Sequence, residues 1–104
     1  MAHDERWLGV LASVSRSLWG EVTPDLRWVS LGLVEDCVVA RFAYEGAITE
    51  AEREVVSCAE TEVIADVHPE LSTDFAAVHR PVPMPRELED GTSSWVYVRR
   101  ETVA

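Results

Sequence analysis

Residues 26–44, LRWVSLGLVEDCVVARFAY, hold two β-rich runs separated by two acidic residues. In the first run, Leu26 to Val34, the side chains of Val29, Leu31 and Leu33 alternate onto one face. In the second, Cys37 to Tyr44, Val38, Ala40, Phe42 and Tyr44 do the same. Period-two alternation marks a strand that lays one face on a core. Glu35-Asp36 is a polar break of the length that closes a tight hairpin, and Gly46 closes the second strand. An antiparallel pair with one apolar face needs a layer to cover it, and the flanking sequence supplies helices.

On the N-terminal side, residues 4–19 placed at 100° steps gather Trp7, Leu8, Val10, Leu11, Ala12, Val14, Leu18 and Trp19 into one broad arc. Glu5, Arg6, Gly9, Ser13, Arg16 and Ser17 fall opposite. This pattern predicts an amphipathic helix with both tryptophans in the core. Gly20 stands where a left-handed cap residue ends a helix, and Pro24 blocks continuation through residues 21–25.

On the C-terminal side, Thr49 and Glu52 have the spacing of a capping box, and Glu50 and Glu52 suit the positive end of a helix dipole. A second helix is expected from there to Ala65 or Asp66, ended by His68-Pro69. A strand follows from about Thr73 to Arg80. Then comes Pro81-Val82-Pro83-Met84-Pro85, a stiff, poorly pairing connection, and a polar loop through Asp90-Gly91. The last strand, Ser94 to Arg100, is expected to place Trp95 and Tyr97 on one face and Val96 and Val98 on the other. The order is helix-strand-strand, twice. It predicts a single α+β domain over residues 1–104, with a four-stranded, mostly antiparallel sheet and both helices packed on one face.

Composition narrows the function. The 104 residues carry nineteen acids against nine bases, all arginine, for a net charge of −10. Such a surface repels phosphate, which argues against direct nucleic-acid binding. No apolar run is long enough to span a bilayer, and Met1 to Arg6 shows no basic segment leading into an apolar stretch, so neither a membrane anchor nor a secretory signal is expected. Cys37 and Cys58 are isolated in sequence and read as two buried thiols in a reducing cytoplasm, with a single disulfide between them as the alternative.

Catalytic and cofactor motifs are weak. Asp66-x-His68 offers two metal ligands with no third nearby, and His3 and His79 are remote. There is no nucleophile elbow, no basic setting for either cysteine, and the five glycines stand singly at 9, 20, 32, 46 and 91, so no phosphate cradle forms. These absences predict no cofactor, no metal and no enzymatic activity.

The distribution of charge says more. Residues 50–66 hold Glu50, Glu52, Glu54, Glu60, Glu62 and Asp66 against Arg53 alone, a net −5 that is half the total. The pattern reads either as a solvated helix face or as an anionic surface aimed at a basic partner. With Ala51, Val55, Cys58, Ala59 and Val63 taken as the buried arc, Glu54 and Glu60 point away while Glu62 turns inward. An inward carboxylate needs a donor, for which Arg27 or Arg41 is the natural candidate, unless it is exposed at a groove.

The stretches Leu18-Trp19-Gly20-Glu21-Val22-Thr23-Pro24-Asp25-Leu26-Arg27 and Glu60-Thr61-Glu62-Val63-Ile64-Ala65-Asp66 resemble a family of small acidic bacterial proteins. These are immunity proteins of contact-dependent growth inhibition and related polymorphic toxin systems. The resemblance implies a cytoplasmic protein that binds one cognate toxin domain, often a nuclease, and blocks it without chemistry of its own. On that reading the partner-facing residues are Glu50, Glu54, Glu60 and Asp66 of the second helix, with Glu35 and Asp36 or the loop 86–91. The partner is a basic protein, and the chain itself a monomer or weak homodimer. An adaptor binding some other basic protein, and a small enzyme or ligand-binding domain, are the competing readings.

Overall fold

The computed structural model describes residues 6–82 and 88–100. Six elements follow in order: α1 (Arg6–Ser17), β1 (Leu26–Val34), β2 (Cys37–Tyr44), α2 (Glu50–Asp66), β3 (Ser72–His79) and β4 (Ser94–Val98). The strands form one sheet in the order β3-β2-β1-β4. Both β1–β2 and β1–β4 are antiparallel, and β2–β3 is parallel. The parallel pair exists because α2 carries the chain back to the start of β2, the return that parallel neighbours require.

Local chemistry sets most of these boundaries. Glu35 and Asp36 take φ of 47° and 66° between the paired residues Val34 and Cys37, the left-handed geometry of a type I′ hairpin. Gly20, at φ 78°, follows the last turn of α1. The capping box at the start of α2 is formed in full: the Glu52 amide donates to Thr49 Oγ1 at 3.1 Å, and the Thr49 amide donates to Glu52 Oε1 at 3.0 Å.

One face of the sheet carries Val29, Leu31, Val38, Ala40, Phe42 and Tyr44 into a core completed by Trp7, Val10, Val14 and Leu18 from α1 and Val56, Ala59 and Val63 from α2. Phe75 of β3 meets Phe42 with ring centroids 6.4 Å apart. The opposite face is buried as well along its centre, at Trp28, Ser30, Val39 and Ala43. Its cover comes from the connection between β3 and β4. These strands occupy opposite edges, so the chain crosses the face that the helices leave open. Gly91 and Thr92 pass directly over Gly32, where a Cβ would come within 2.7 Å of Thr92 Cα and overlap the Gly91 carbonyl. Part of this connection, residues 83–87, lies outside the described residues, and with it three residues of the Pro81–Pro85 run and the first two of the loop 86–91.

Three details differ from the sequence expectation. In α1, Leu8 and Trp19 are 73% and 75% exposed, whereas Ser13 and Ser17 are buried. The helix rotates these small polar residues inward because their hydroxyls find acceptors: Ser13 reaches Asp66 and Ser17 reaches the Val14 carbonyl. In β4, a register shift between Val29 and Ser30 puts Tyr97 opposite Val29 on the helix side and Trp95 opposite Ser30 on the other, separating two residues that simple alternation joins. In α2 the buried arc is Val56, Ala59 and Val63; Ala51 and Cys58 are exposed. Cys37 is half-buried, and both thiols are free.

The crossing chain makes Gly32 the tightest position in the sheet. Gly32→Ala is expected to cost about 1–3 kcal/mol, the range for forced overpacking against atoms that cannot rotate away. Urea denaturation should show the midpoint falling with the slope unchanged; an unaltered midpoint would mean the connection does not bear on β1.

Candidate protein-interaction surface

The rotation of α2 decides which carboxylates face solvent. With Val56, Ala59 and Val63 inward, Glu50, Glu54, Cys58, Thr61 and Ala65 form the outward ridge, and Glu62 lies on its α1 side. Glu62 is therefore exposed, not turned toward the core. The two arginines considered as its partners are engaged elsewhere: Arg27 sits 3.7 Å from Glu45, and Arg41 pairs with Asp74 at 3.1 Å.

Glu60 is displaced the other way. It is half-buried against β3, where the Thr73 hydroxyl donates to its Oε2 at 2.6 Å. Asp66 faces α1 and accepts from Arg16 at 2.7 Å and from Ser13 at 3.0 Å. The hydrogen bond from Arg16, then that from Ser13, holds its carboxyl below the ordinary value. Asp36 accepts from Arg6 at 2.7 Å. Glu35 is exposed on the hairpin. That hairpin precedes β2, while Glu50 follows its end, so the eight residues of β2 separate the two by roughly 25 Å. Of the six carboxylates expected to share one surface, Glu60 is half-buried and the other five are exposed: Glu50 and Glu54 lie together on the outer ridge of α2, Asp36 and Asp66 are drawn to arginines of α1, and Glu35 stands on the hairpin.

The concavities are shallow and open. One of about 340 Å³ lies between the helices at Ser13, Arg16, Glu62 and Asp66, and another of about 300 Å³ lies between α2 and β3 over Phe75 and Ala77. Among the described residues, no group of three or more histidine, cysteine or acidic side chains is placed to hold a metal ion. His68 is occupied in a surface turn, its Nδ1 accepting from the Glu70 amide at 3.2 Å. Burial pushes the Tyr44 hydroxyl up to about 12, with Glu52 and Asp25 adding to the effect, so this core phenol keeps its proton. No helix among the described residues is long and apolar enough to cross a membrane.

The arrangement is that of an α+β binding protein: a rigid sheet holding one long helix whose outer ridge carries exposed carboxylates. The sequence model of the MafI2 immunity protein family matches residues 8–101, a span that takes in all six elements apart from the first two residues of α1. The chain belongs to that family, and its role is that of an immunity protein. A search of curated proteins finds no match. The family bears out the resemblance to bacterial immunity proteins that the sequence shows.

The Asp66 cluster ties the end of α2 to α1 through an ionised carboxylate. A carboxyl whose folded value is depressed stabilises the fold above its unfolded value and loses that contribution as pH falls through the lowered one. Thermal melts of the wild type and Asp66→Asn should therefore differ at neutral pH, and the gap should close as pH falls below the ordinary carboxylate range. A constant gap as pH falls would show that the charge of Asp66 is not what holds the helices.

Proposed function

We propose that this immunity protein neutralises a cognate toxin domain by direct contact through the outward face of α2, and that the toxin surface it covers is basic. The observation that carries the reading is the row Glu50, Glu54 and Glu62, three exposed carboxylates spread over about 18 Å of one helix. Fixed on a capped helix, such a row raises the encounter rate with a cationic cleft and selects for it. A nuclease cleft, which must attract phosphate, is the kind of surface this row imitates. The reading treats residues 1–104 as one unit, acting in the cytoplasm without chemistry of its own. Glu60, Asp66 and Asp36 serve the fold and stand outside the contact; Glu35 stands on the hairpin, at the end of β2 to which α2 returns the chain.

Titration calorimetry against the cognate toxin domain tests the proposal. Charge reversal of Glu50, Glu54 and Glu62 together should weaken binding at least about tenfold and flatten its dependence on salt. Unchanged affinity in that triple variant would sink the α2 interface. Glu60→Gln supplies the contrast: it should leave affinity intact while lowering stability by about 1 kcal/mol through the weakened bond to Thr73.

A further inference from the structure

The sheet ends in two edge strands, β3 and β4, and they are guarded differently. Natural edges avoid stray pairing by being short, bulged or interrupted by lysine or proline. β4 follows that rule, with five residues and a register shift in its pairing. β3 does not. Its eight residues, STDFAAVH, run in unbroken register along β2 and include neither lysine nor proline. Its one acid, Asp74, is tied to Arg41 of β2 at 3.1 Å, on the face away from the helices.

The hydrogen bonds at the two ends of β3 set which of its backbone groups are open. The Ser72 amide donates to the Asp36 carbonyl at 2.9 Å, and the Arg80 amide to the Tyr44 carbonyl at 2.8 Å. In a parallel ladder a residue turns its N–H and C=O to the same side, and successive residues alternate. Ser72, Asp74, Ala76 and Val78 therefore face β2. Thr73, Phe75 and Ala77 direct N–H and C=O outward, where they have no hydrogen-bond partner among the described residues. The side chains of these three lie on the helix side, since they pair with Val38, Ala40 and Phe42 of the core face. Between them and α2 runs a groove of about 300 Å³, floored by Val56, Phe75 and Ala77 and walled by Arg53 and Ser57. Glu60, bonded to Thr73, closes its far end.

We infer that an extended segment of the cognate toxin pairs with β3 as a fifth strand, its apolar side chains filling the groove beside α2. Main-chain bonds to an open edge supply affinity in this mode of capture, and flanking pockets for alternate side chains supply specificity. The inference rests on the reading that this chain meets its toxin directly, and it extends the contact from the helix to the sheet. The two surfaces are continuous, because Arg53 and Ser57 wall the groove and also border Glu50 and Glu54. Charge decides between the occupants that an open edge can take. Antiparallel pairing of β3 with a second copy sets the two α2 helices side by side, at about the 8–10 Å of packed helices. Each carries a net −5 over residues 50–66, so that pairing is opposed. A basic partner meets attraction in the same field. The added strand is therefore the toxin's.

Amide hydrogen exchange, read residue by residue by NMR on the full chain alone and with the cognate toxin domain, tests it. In the free chain Asp74, Ala76 and Val78 should be protected by β2, while Phe75 and Ala77 exchange fast. The complex should slow Phe75 and Ala77 at least about tenfold. Ala77→Pro removes one outward N–H and leaves the ladder to β2 intact. It should keep the wild-type circular dichroism and weaken toxin binding at least about tenfold. Unchanged exchange at Phe75 and Ala77 in the complex overturns the inference, as does a folded Ala77→Pro chain that binds like wild type. Protection of these two amides that grows with the concentration of the chain alone also overturns it, giving the edge to a second copy. The Glu50, Glu54 and Glu62 reversal separates the two readings. If it leaves affinity unchanged while Phe75 and Ala77 still become protected, the ridge fails and the edge stands.

Discussion

The crossing of the sheet by the chain between β3 and β4 is the constraint on which the rest of the structure depends. Because α2 returns the chain to one edge and β4 closes the other, the connection must traverse two strands. Both helices already occupy one face, so it takes the other. This is why β1 and β2 are buried on both sides, and why residues as different as Trp28, Ser30 and Val39 are all inaccessible. Gly32 fits the requirement because the crossing backbone comes too close for any side chain. Anchors hold the crossing at both ends: Arg80 forms two hydrogen bonds to the Glu89 carboxylate, and Arg27 donates to the Pro81 carbonyl.

With the two central strands covered on both faces, the outer faces of the helices remain exposed. The acids of α2 fall into two groups with different duties. Those flanking the buried arc are used internally: Glu52 caps the helix, Glu60 holds β3 and Asp66 holds α1. Those on the outer ridge have no such duty. A count of acids along residues 50–66 treats the two groups alike. Only the rotation of the helix separates surface electrostatics from structural hydrogen bonding.

Much of the fold was legible from residue pattern. The Leu26–Tyr44 hairpin, the Thr49–Glu52 capping box, the stop at Gly20 and all six elements follow from local rules, because each depends on neighbours within a few positions. The family resemblance was legible too. The buried arc of α2 was not. Its apolar residues, Ala51, Val55, Val56, Cys58, Ala59, Val63, Ile64 and Ala65, are spread nearly all round the helix, so no single arc is marked. The arc chosen from sequence lay roughly 70° from the true one, enough to exchange Glu60 and Glu62 between inside and outside. In α1 the choice of apolar over polar put Leu8 and Trp19 inward, when partners on α2 and the helix backbone drew Ser13 and Ser17 there instead.

What the sequence determined by itself is therefore the set of elements, their order, the hairpin and the acidity of the chain. These are fixed by short-range periodicity, turn chemistry and composition, none of which needs distant contacts. The tertiary structure alone decided the strand order, the parallel β2–β3 pair, the bulge that parts Trp95 from Tyr97, and the face each acid presents. The physical reason is that a helix or strand offers several orientations of similar intrinsic energy. Contacts from residues dozens of positions away, such as Ser13 with Asp66 and Gly32 with Thr92, select one of them.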